Sequence, residues 1–256
     1  MQRFINQLKT YYSFSIFVLY IFFVGVPMGW YYSLSKKNLA KNQDKYHKHA
    51  AHFCRRFIRH YLCCATHEVR NPYCENFKKP ALIIANHQSI IDLPLTMMMS
   101  PKLVVMTGQW VWESKTYGEV VRFCDYFPST MPMDEMLAHM KDVMSRGYSV
   151  LIFPEGTRSE DCQIHTFRRG AFHLAEQLRC DILPMVIWGT GKVFPKNDFC
   201  LHKGHMILDI GKRISFDDGI MGEGHGPLTR YWHKYFIKRF AELEAEMGVP
   251  ATTDQN

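Results

Sequence analysis

From Thr10 to Ser35 the chain carries no charged side chain. The run YYSFSIFVLYIFFVGVPMGWYYSL is apolar over a length that suits one crossing of a bilayer. Tyr11 and Tyr12 stand at one end and Trp30, Tyr31 and Tyr32 at the other, where aromatic rings favour the headgroup layer. Two readings remain open: a full span, or insertion into one leaflet with a bend at Gly25 and Pro27. A cleaved signal peptide does not fit, because the apolar core is too long and no small-residue cleavage site precedes the lysines. Residues 36–68 lack proline and glycine and are predicted to form one long cationic helix leaving the membrane.

After RNPYCENFKKP the pattern changes to short apolar runs separated by helical stretches. Residues 81–85, 102–106, 149–153, 182–188 and 205–210 read as strands, and 113–123, 135–146 and 168–179 as helices. Asp134 is the expected N-cap of the second of these helices and Gly147 its stop. Near the end, Leu228, Trp232, Phe236, Phe240 and Leu243 recur at helical spacing, as a core-facing stripe does. The fold expected is α/β: a mixed, largely parallel sheet flanked by helices, with an N-terminal membrane-associated helical segment. The organisation expected is a membrane anchor over 1–35, spanning or re-entrant, a basic membrane-surface helix over 36–70, and a folded domain over 71–256.

Charge sharpens this picture. The chain has 256 residues and a formal net charge of +7. Between Lys36 and Arg59 there are eight Lys or Arg residues against Asp44 alone, so this stretch holds the whole excess. Such a segment seeks a polyanion, and the apolar run beside it selects a bilayer with anionic lipids over nucleic acid. Only Arg3 and Lys9 precede the apolar run, so the positive-inside rule places the main body on the cytoplasmic face of the cell (inner) membrane. The 8 cysteines form no C-x-x-C pair and read as reduced thiols of a cytosol-facing protein, with no zinc-ligand spacing.

The candidate chemistry lies at two strand ends, where open α/β sheets gather their binding groups. In ALIIANHQSIID the strand runs into Asn86 and His87, and Asp92 follows. On one continuous helix His87 and Asp92 would point about 140° apart, so contact needs a turn between them. Asp92 in or beside a first helical turn can reach back to one imidazole nitrogen, fix the tautomer and leave the other nitrogen as a base. Asn86 is grouped with the substrate-binding residues. In SVLIFPEGTRS a strand runs into Glu155, Gly156, Thr157 and Arg158. Gly156 with a hydroxyl and a guanidinium suits an anion, Arg158 can grip phosphate oxygens in a bidentate way, and Glu155 can accept from an acceptor hydroxyl.

NHQSIID and FPEGTRS, about 60 residues apart and in this order, resemble the lysophosphatidate acyltransferase family of glycerolipid acyltransferases, and FRRGAFHLAEQ and ILPMVIWGT look like later segments of that family. The resemblance covers about residues 75 to 215. It implies an O-acyltransferase moving a fatty acyl group from acyl-CoA or acyl carrier protein to the hydroxyl of a lyso-lipid, with 1-acyl-glycerol-3-phosphate as acceptor and phosphatidic acid as product. By the same resemblance His87 is the general base, Asp92 its orienting partner, and Glu155 to Arg158 the holders of the acceptor head. Transfer is expected to be direct, without a metal or other cofactor. The chain departs from the family between the two motifs: no Arg follows DYFP, where the family has one that contacts phosphate. Arg168 and Arg169 are the candidates to compensate. The alternatives are the same transfer onto a non-phosphate lyso-lipid such as a lyso-aminolipid, or a membrane-tethered acyl thioesterase in which His87 activates water.

Overall fold

The computed structural model describes residues 1–34, 36–219 and 224–248. The expected anchor boundary at Ser35 and residues 249–256 of the expected last domain lie outside the described residues. In chain order, α1 (Gln2–Tyr20) continues through a π-helical turn, Ile21–Gly25, into α2 (Val26–Ser33), and α3 (Leu39–Arg56) ends in a second such turn, Phe57–Tyr61. Then come β1 (Ala65–Arg70), β2 (Leu82–Ala85), α4 (Asp92–Met97), β3 (Leu103–Thr107), α5 (Gln109–Trp112), α6 (Gly118–Phe123) and β4 (Phe127–Pro128). The remainder is α7 (Met133–Ser145), β5 (Ser149–Ile152), α8 (Gly170–Leu178), β6 (Ile182–Trp188), α9 (Thr190–Val193), β7 (Gly204–Ile210) and α10 (His225–Glu246).

The strands form one sheet in the order β1-β7-β6-β2-β5-β3-β4, and only the β6–β7 pairing is antiparallel. β2, β5 and β6 are buried at every position, which is why they read as unbroken apolar runs and not as alternating ones. Ile84, Val150 and Val186 face the core made with α7, α8 and α10, where Trp232, Phe236 and Phe240 of the expected stripe are buried. Ile83, Leu151 and Met185 face the opposite core, with Phe53 and Phe57 after the first helices and Leu95 of α4. The mixed, largely parallel α/β sheet is the fold class expected.

Several elements differ from the sequence reading. The helix predicted over 36–68 ends at Tyr61, and residues 65–70, given to the basic helix, are the edge strand β1. Its pairing with β7 lies some 140 residues away in the chain, and its polar, alternating residues carry no apolar run to announce it. Of the helix predicted over 113–123 only α6, Gly118–Phe123, is helical; the turn between α5 and α6 takes up the rest, and there the Ser114 hydroxyl accepts from the Thr116 and Tyr117 amides and competes with the helical ladder. Asp134 lies within the first turn of α7, whose N-cap is Pro132. Gly147 follows α7 at φ +86, the left-handed stop expected of it.

The helical run Gln2–Ser33 is long and apolar enough to cross a membrane. It nevertheless lies against the domain along its length. Thr10 Oγ1 accepts from the Leu201 amide at 2.7 Å, Ser13 Oγ donates to the Tyr61 carbonyl at 2.6 Å, and Phe17 packs edge-on against Phe57. Farther along, Gly29 lies so close to Val120 that a Cβ would come within 2.8 Å of it. The buried side of α1 is therefore partly polar (Asn6, Thr10 and Ser13), whereas Leu8, Leu19, Phe22, Phe23 and Tyr31 face outward. That is the reverse of a water-soluble amphipathic helix.

Candidate active site

β2 and β5 are adjacent and parallel, so the two motifs leave the sheet at the same edge. His87 follows β2 by two residues, and α4 starts at Asp92, with Pro94 in its first turn, where a missing N–H is tolerated. The chain reverses between them, and His87 Nδ1 comes to 2.8 Å from Asp92 Oδ2. That oxygen also accepts from the Gln88 amide at 2.6 Å and the Ser89 amide at 2.7 Å. The other carboxylate oxygen accepts from Thr190 Oγ1 at 2.5 Å. Asp92 is wholly buried, so these four donors fix its orientation and satisfy it in a place water does not reach. With Nδ1 donating to the carboxylate, the proton-free position of a neutral imidazole is Nε2. No protein group bonds Nε2 among the described residues, and the ring, one-fifth exposed, stacks on Phe153 at 4.2 Å.

The second motif clamps the first. The His87 amide donates to Glu155 Oε1 at 2.9 Å, and its carbonyl accepts from the Ser159 amide at 2.7 Å. Glu155 Oε2 accepts from the His165 amide at 3.3 Å. Burial pushes the Glu155 carboxyl up from 4.5 to about 8, against the lowering effect of these two amides. Between the clamping residues the chain turns at Gly156, whose φ is +74 and whose absent Cβ would come within 2.7 Å of the Arg168 guanidinium. Only glycine meets both demands without strain. The Arg168 amide donates to the Pro154 carbonyl at 2.8 Å, which holds Arg168 over this turn.

Of the expected site residues, the structure brings together His87, Asp92, Glu155, Gly156, Thr157, Arg158 and Arg168. Arg158 is half-buried and has no ion-pair partner among the described residues. Two of the expected residues are held within the protein. Asn86 is not presented to a substrate: it is fully buried, and its amide bonds both backbone groups of Ile187, at 2.8 and 2.7 Å, joining the end of β2 to β6. Glu155 is buried as well, and each of its carboxylate oxygens accepts from a backbone amide. Arg169 stands at the N-cap of α8, and its exposed side chain makes no bond to the 155–158 turn among the described residues.

The sequence reading missed Thr190 and Lys196. Thr190 follows Gly189 at the carboxyl end of β6, a strand-end position that marks it for attention once β6 is known to neighbour β2. Lys196 Nζ lies 3.4 Å from Thr157 Oγ1. Two groups among the described residues bring potential metal-ligand atoms together: His173, Glu176 and His225, and Asp198, Cys200 and His202. Protein hydrogen bonds join part of each group. Glu176 accepts from the amide and ring of His225 and so ties the start of α10 to α8, and Asp198 pairs with His202 at 2.9 Å. Neither group includes the His87–Asp92 pair.

Residues 63–188 match the model of the family described as Acyltransferase. The chloroplastic 1-acyl-sn-glycerol-3-phosphate acyltransferase LPAT1 of Arabidopsis thaliana is 32% identical over 143 residues, 53% of this chain and 39% of that protein. The 1-acyl-sn-glycerol-3-phosphate acyltransferase of Saccharomyces cerevisiae is 31% identical over 154 residues, 55% of this chain and 49% of that protein. The chain thus spans about half the length of the curated relatives it matches, or less. The crystal structure of the 1-acyl-sn-glycerophosphate (LPA) acyltransferase PlsC from Thermotoga maritima superposes with a TM-score of 0.81, covering 96% of this chain and 98% of that one. At 22% identity this likeness is one of fold.

Proposed function

We propose, from the match of residues 63–188 to the Acyltransferase family model and the likeness to 1-acyl-sn-glycerol-3-phosphate acyltransferases, that the chain is a glycerolipid acyltransferase of the lysophosphatidate acyltransferase-like family and acylates the free hydroxyl of 1-acyl-glycerol-3-phosphate to give phosphatidic acid. The observation that carries the reading is the His87–Asp92 pair at 2.8 Å, with Nε2 open beside the Gly156 turn and its cations. His87 Nε2 takes the proton of the acceptor hydroxyl as the oxygen attacks the thioester carbonyl. Asp92 stabilises the resulting imidazolium through Nδ1. Collapse of the tetrahedral adduct breaks the carbon–sulfur bond, and the departing thiolate takes the proton from Nε2. Acyl-CoA and acyl-ACP both supply such a thioester. Arg158 and Arg168 hold the acceptor's phosphate.

A second reading, the same transfer onto a non-phosphate lyso-lipid, draws on one observation. β4 is followed by Ser129 and Thr130, with no arginine there, and Arg122 instead donates to the Trp112 carbonyl at 2.8 Å. One experiment separates the readings: a panel of lyso-lipid acceptors, with and without a phosphate monoester, offered with one acyl thioester and read by lipid mass spectrometry. Phosphatidic acid formation that His87→Ala abolishes supports the first reading. Product only from phosphate-free acceptors supports the second, and steady release of free fatty acid without an acceptor supports a thioesterase.

The membrane association belongs to the same proposal. The outward apolar face of Gln2–Ser33 sits in one leaflet, at the cytoplasmic face, and the exposed cations of α3 and the turn after it, among them Lys41, Lys45, Lys48, Arg55 and Arg59, meet anionic headgroups. Insertion into one leaflet is favoured over a crossing because the helix is bonded to the domain at Thr10 and Ser13. A crossing would draw those polar contacts and the domain beside them into hydrocarbon.

A further inference from the structure

The expected mid-domain arginine is absent, and the Gly156 turn has a cation that neither family motif supplies. Lys196 Nζ lies 3.0 Å from Glu160 Oε1 and 3.4 Å from Thr157 Oγ1. The lysine side chain is 24% exposed and the glutamate 64%. The ammonium is therefore part of the turn, and the glutamate reaches it from solvent. Arg158 lies in the same turn, and Arg168 covers it at Gly156. Three cations from three chain segments thus surround one glycine turn, and Glu160 is the counterion of one of them.

The segment that carries Lys196 is held in register with the catalytic pair. Thr190 bonds Asp92, the Phe194 amide donates to the Thr190 carbonyl at 2.8 Å, and Ser89 Oγ donates to the Phe194 carbonyl at 2.8 Å. On its other side Phe194 packs against Phe14 of α1, with ring centroids 4.7 Å apart. Lys196 follows that junction, which ties α1 to the edge that carries His87, by two residues.

We propose that Lys196 completes the recognition of the acceptor's phosphate monoester in place of the missing mid-domain arginine, with Glu160 as the exchangeable counterion that the phosphate displaces. The proposal rests on the lysophosphatidate reading above. A phosphate monoester carries up to two negative charges and three acceptor oxygens, more than Arg158 alone satisfies. Exchange of one exposed carboxylate for such a dianion is favourable at a turn whose other cations have no ion-pair partner among the described residues. Glu160 then acts as a specificity element, because it competes with a weakly charged head more effectively than with a phosphate monoester.

The test uses the full chain in mixed micelles, with one acyl thioester donor and two matched acceptors, lysophosphatidate and monoacylglycerol. Wild type, Lys196→Met, Lys196→Arg and Glu160→Gln are compared, and thermal melting establishes that each is folded. Loss of one charge-assisted contact to phosphate raises KM by about ten- to a hundredfold. The expected result is a rise of that size for lysophosphatidate in Lys196→Met, a far smaller change for monoacylglycerol, recovery in Lys196→Arg, and a several-fold lower lysophosphatidate KM in Glu160→Gln. Wild-type use of lysophosphatidate with an unchanged KM in Lys196→Met, or an equal rise for both acceptors, overturns the assignment of Lys196 and leaves the lysophosphatidate reading standing. Should Lys196→Met not fold, an unchanged KM in Glu160→Gln overturns it instead. A wild-type protein that acylates monoacylglycerol and not lysophosphatidate overturns both.

Discussion

At the scale of single residues, the site depends on how completely Asp92 is satisfied. His87→Ala should lower kcat by about 10²- to 10⁴-fold, the usual contribution of a positioned acid–base group, with the melting temperature little changed. Activity within tenfold of wild type in a steady-state assay would remove His87 from its role. Thr190→Val tests a residue that acts through Asp92. It leaves one buried carboxylate oxygen without its donor, a loss of about 1–3 kcal/mol of stability, and it should shift the pH profile of kcat while KM stays near wild type. Glu155 gives a pH signature of a different kind. Its folded-state value of about 8 lies above the ordinary 4.5, so the folded state holds the proton more tightly over that window. Its contribution to stability is present below pH 4.5 and is lost as pH rises through about 8. His47 works in the opposite sense. Burial lowers it from 6.5 to about 4, so its contribution is present above 6.5 and is lost as pH falls toward 4. The two effects overlap below 6.5 and separate above it. Denaturant midpoints measured between pH 6.5 and 8 should fall with rising pH in wild type and flatten in Glu155→Gln.

At the scale of elements, the two motifs behave as one unit because the second holds the backbone of the first. Gly156 is where that coupling is most exposed. Gly156→Ala combines a left-handed backbone, costing about 1 kcal/mol or more, with a clash against the Arg168 guanidinium. It should raise the lysophosphatidate KM more than it lowers the melting temperature, and kinetics and thermal melts on the same preparation check this. The helical run Gln2–Ser33 is likewise more than a tether. It covers Phe53, Phe57 and Phe194, so deleting residues 1–33 should lower thermal stability as well as membrane binding. The double substitution Leu19→Lys, Phe23→Lys changes outward positions only. It should detach the protein from vesicles, as flotation would show, and leave the fold intact.

At the scale of the whole molecule, an apolar helix face, a row of α3 cations and the candidate catalytic edge are fastened together through the Phe17–Phe53 and Phe14–Phe194 contacts. On the proposed function, a lipid acceptor is then acylated without leaving its leaflet. Binding should be tighter to vesicles with anionic lipid than to neutral ones, by about 1 kcal/mol for each basic residue near the surface. The difference should shrink as salt screens it. Equal binding to both vesicle types in a sedimentation assay would leave the apolar face as the sole attachment.

The sequence by itself determined the elements whose signal is local. Buried parallel strands appear as apolar runs because both faces are covered, and the α10 stripe appears because its partner core recurs every helical turn. His87, Asp92 and the glycine turn were legible because short motifs at strand ends carry them. What the tertiary structure decided depends on partners distant in the chain. β1 became a strand because β7 offered it an edge. Asn86 and Glu155 became internal fastenings because Ile187 and the His87 and His165 amides were there to meet them. Thr190 and Lys196 entered the site because β6 lies next to β2. The side of Gln2–Ser33 left facing outward was settled by where Thr10 and Ser13 found bonds. Periodicity and motif report a residue's own surroundings along the chain, whereas a buried polar group takes its role from whichever donor or acceptor the fold brings within 3 Å or so of it.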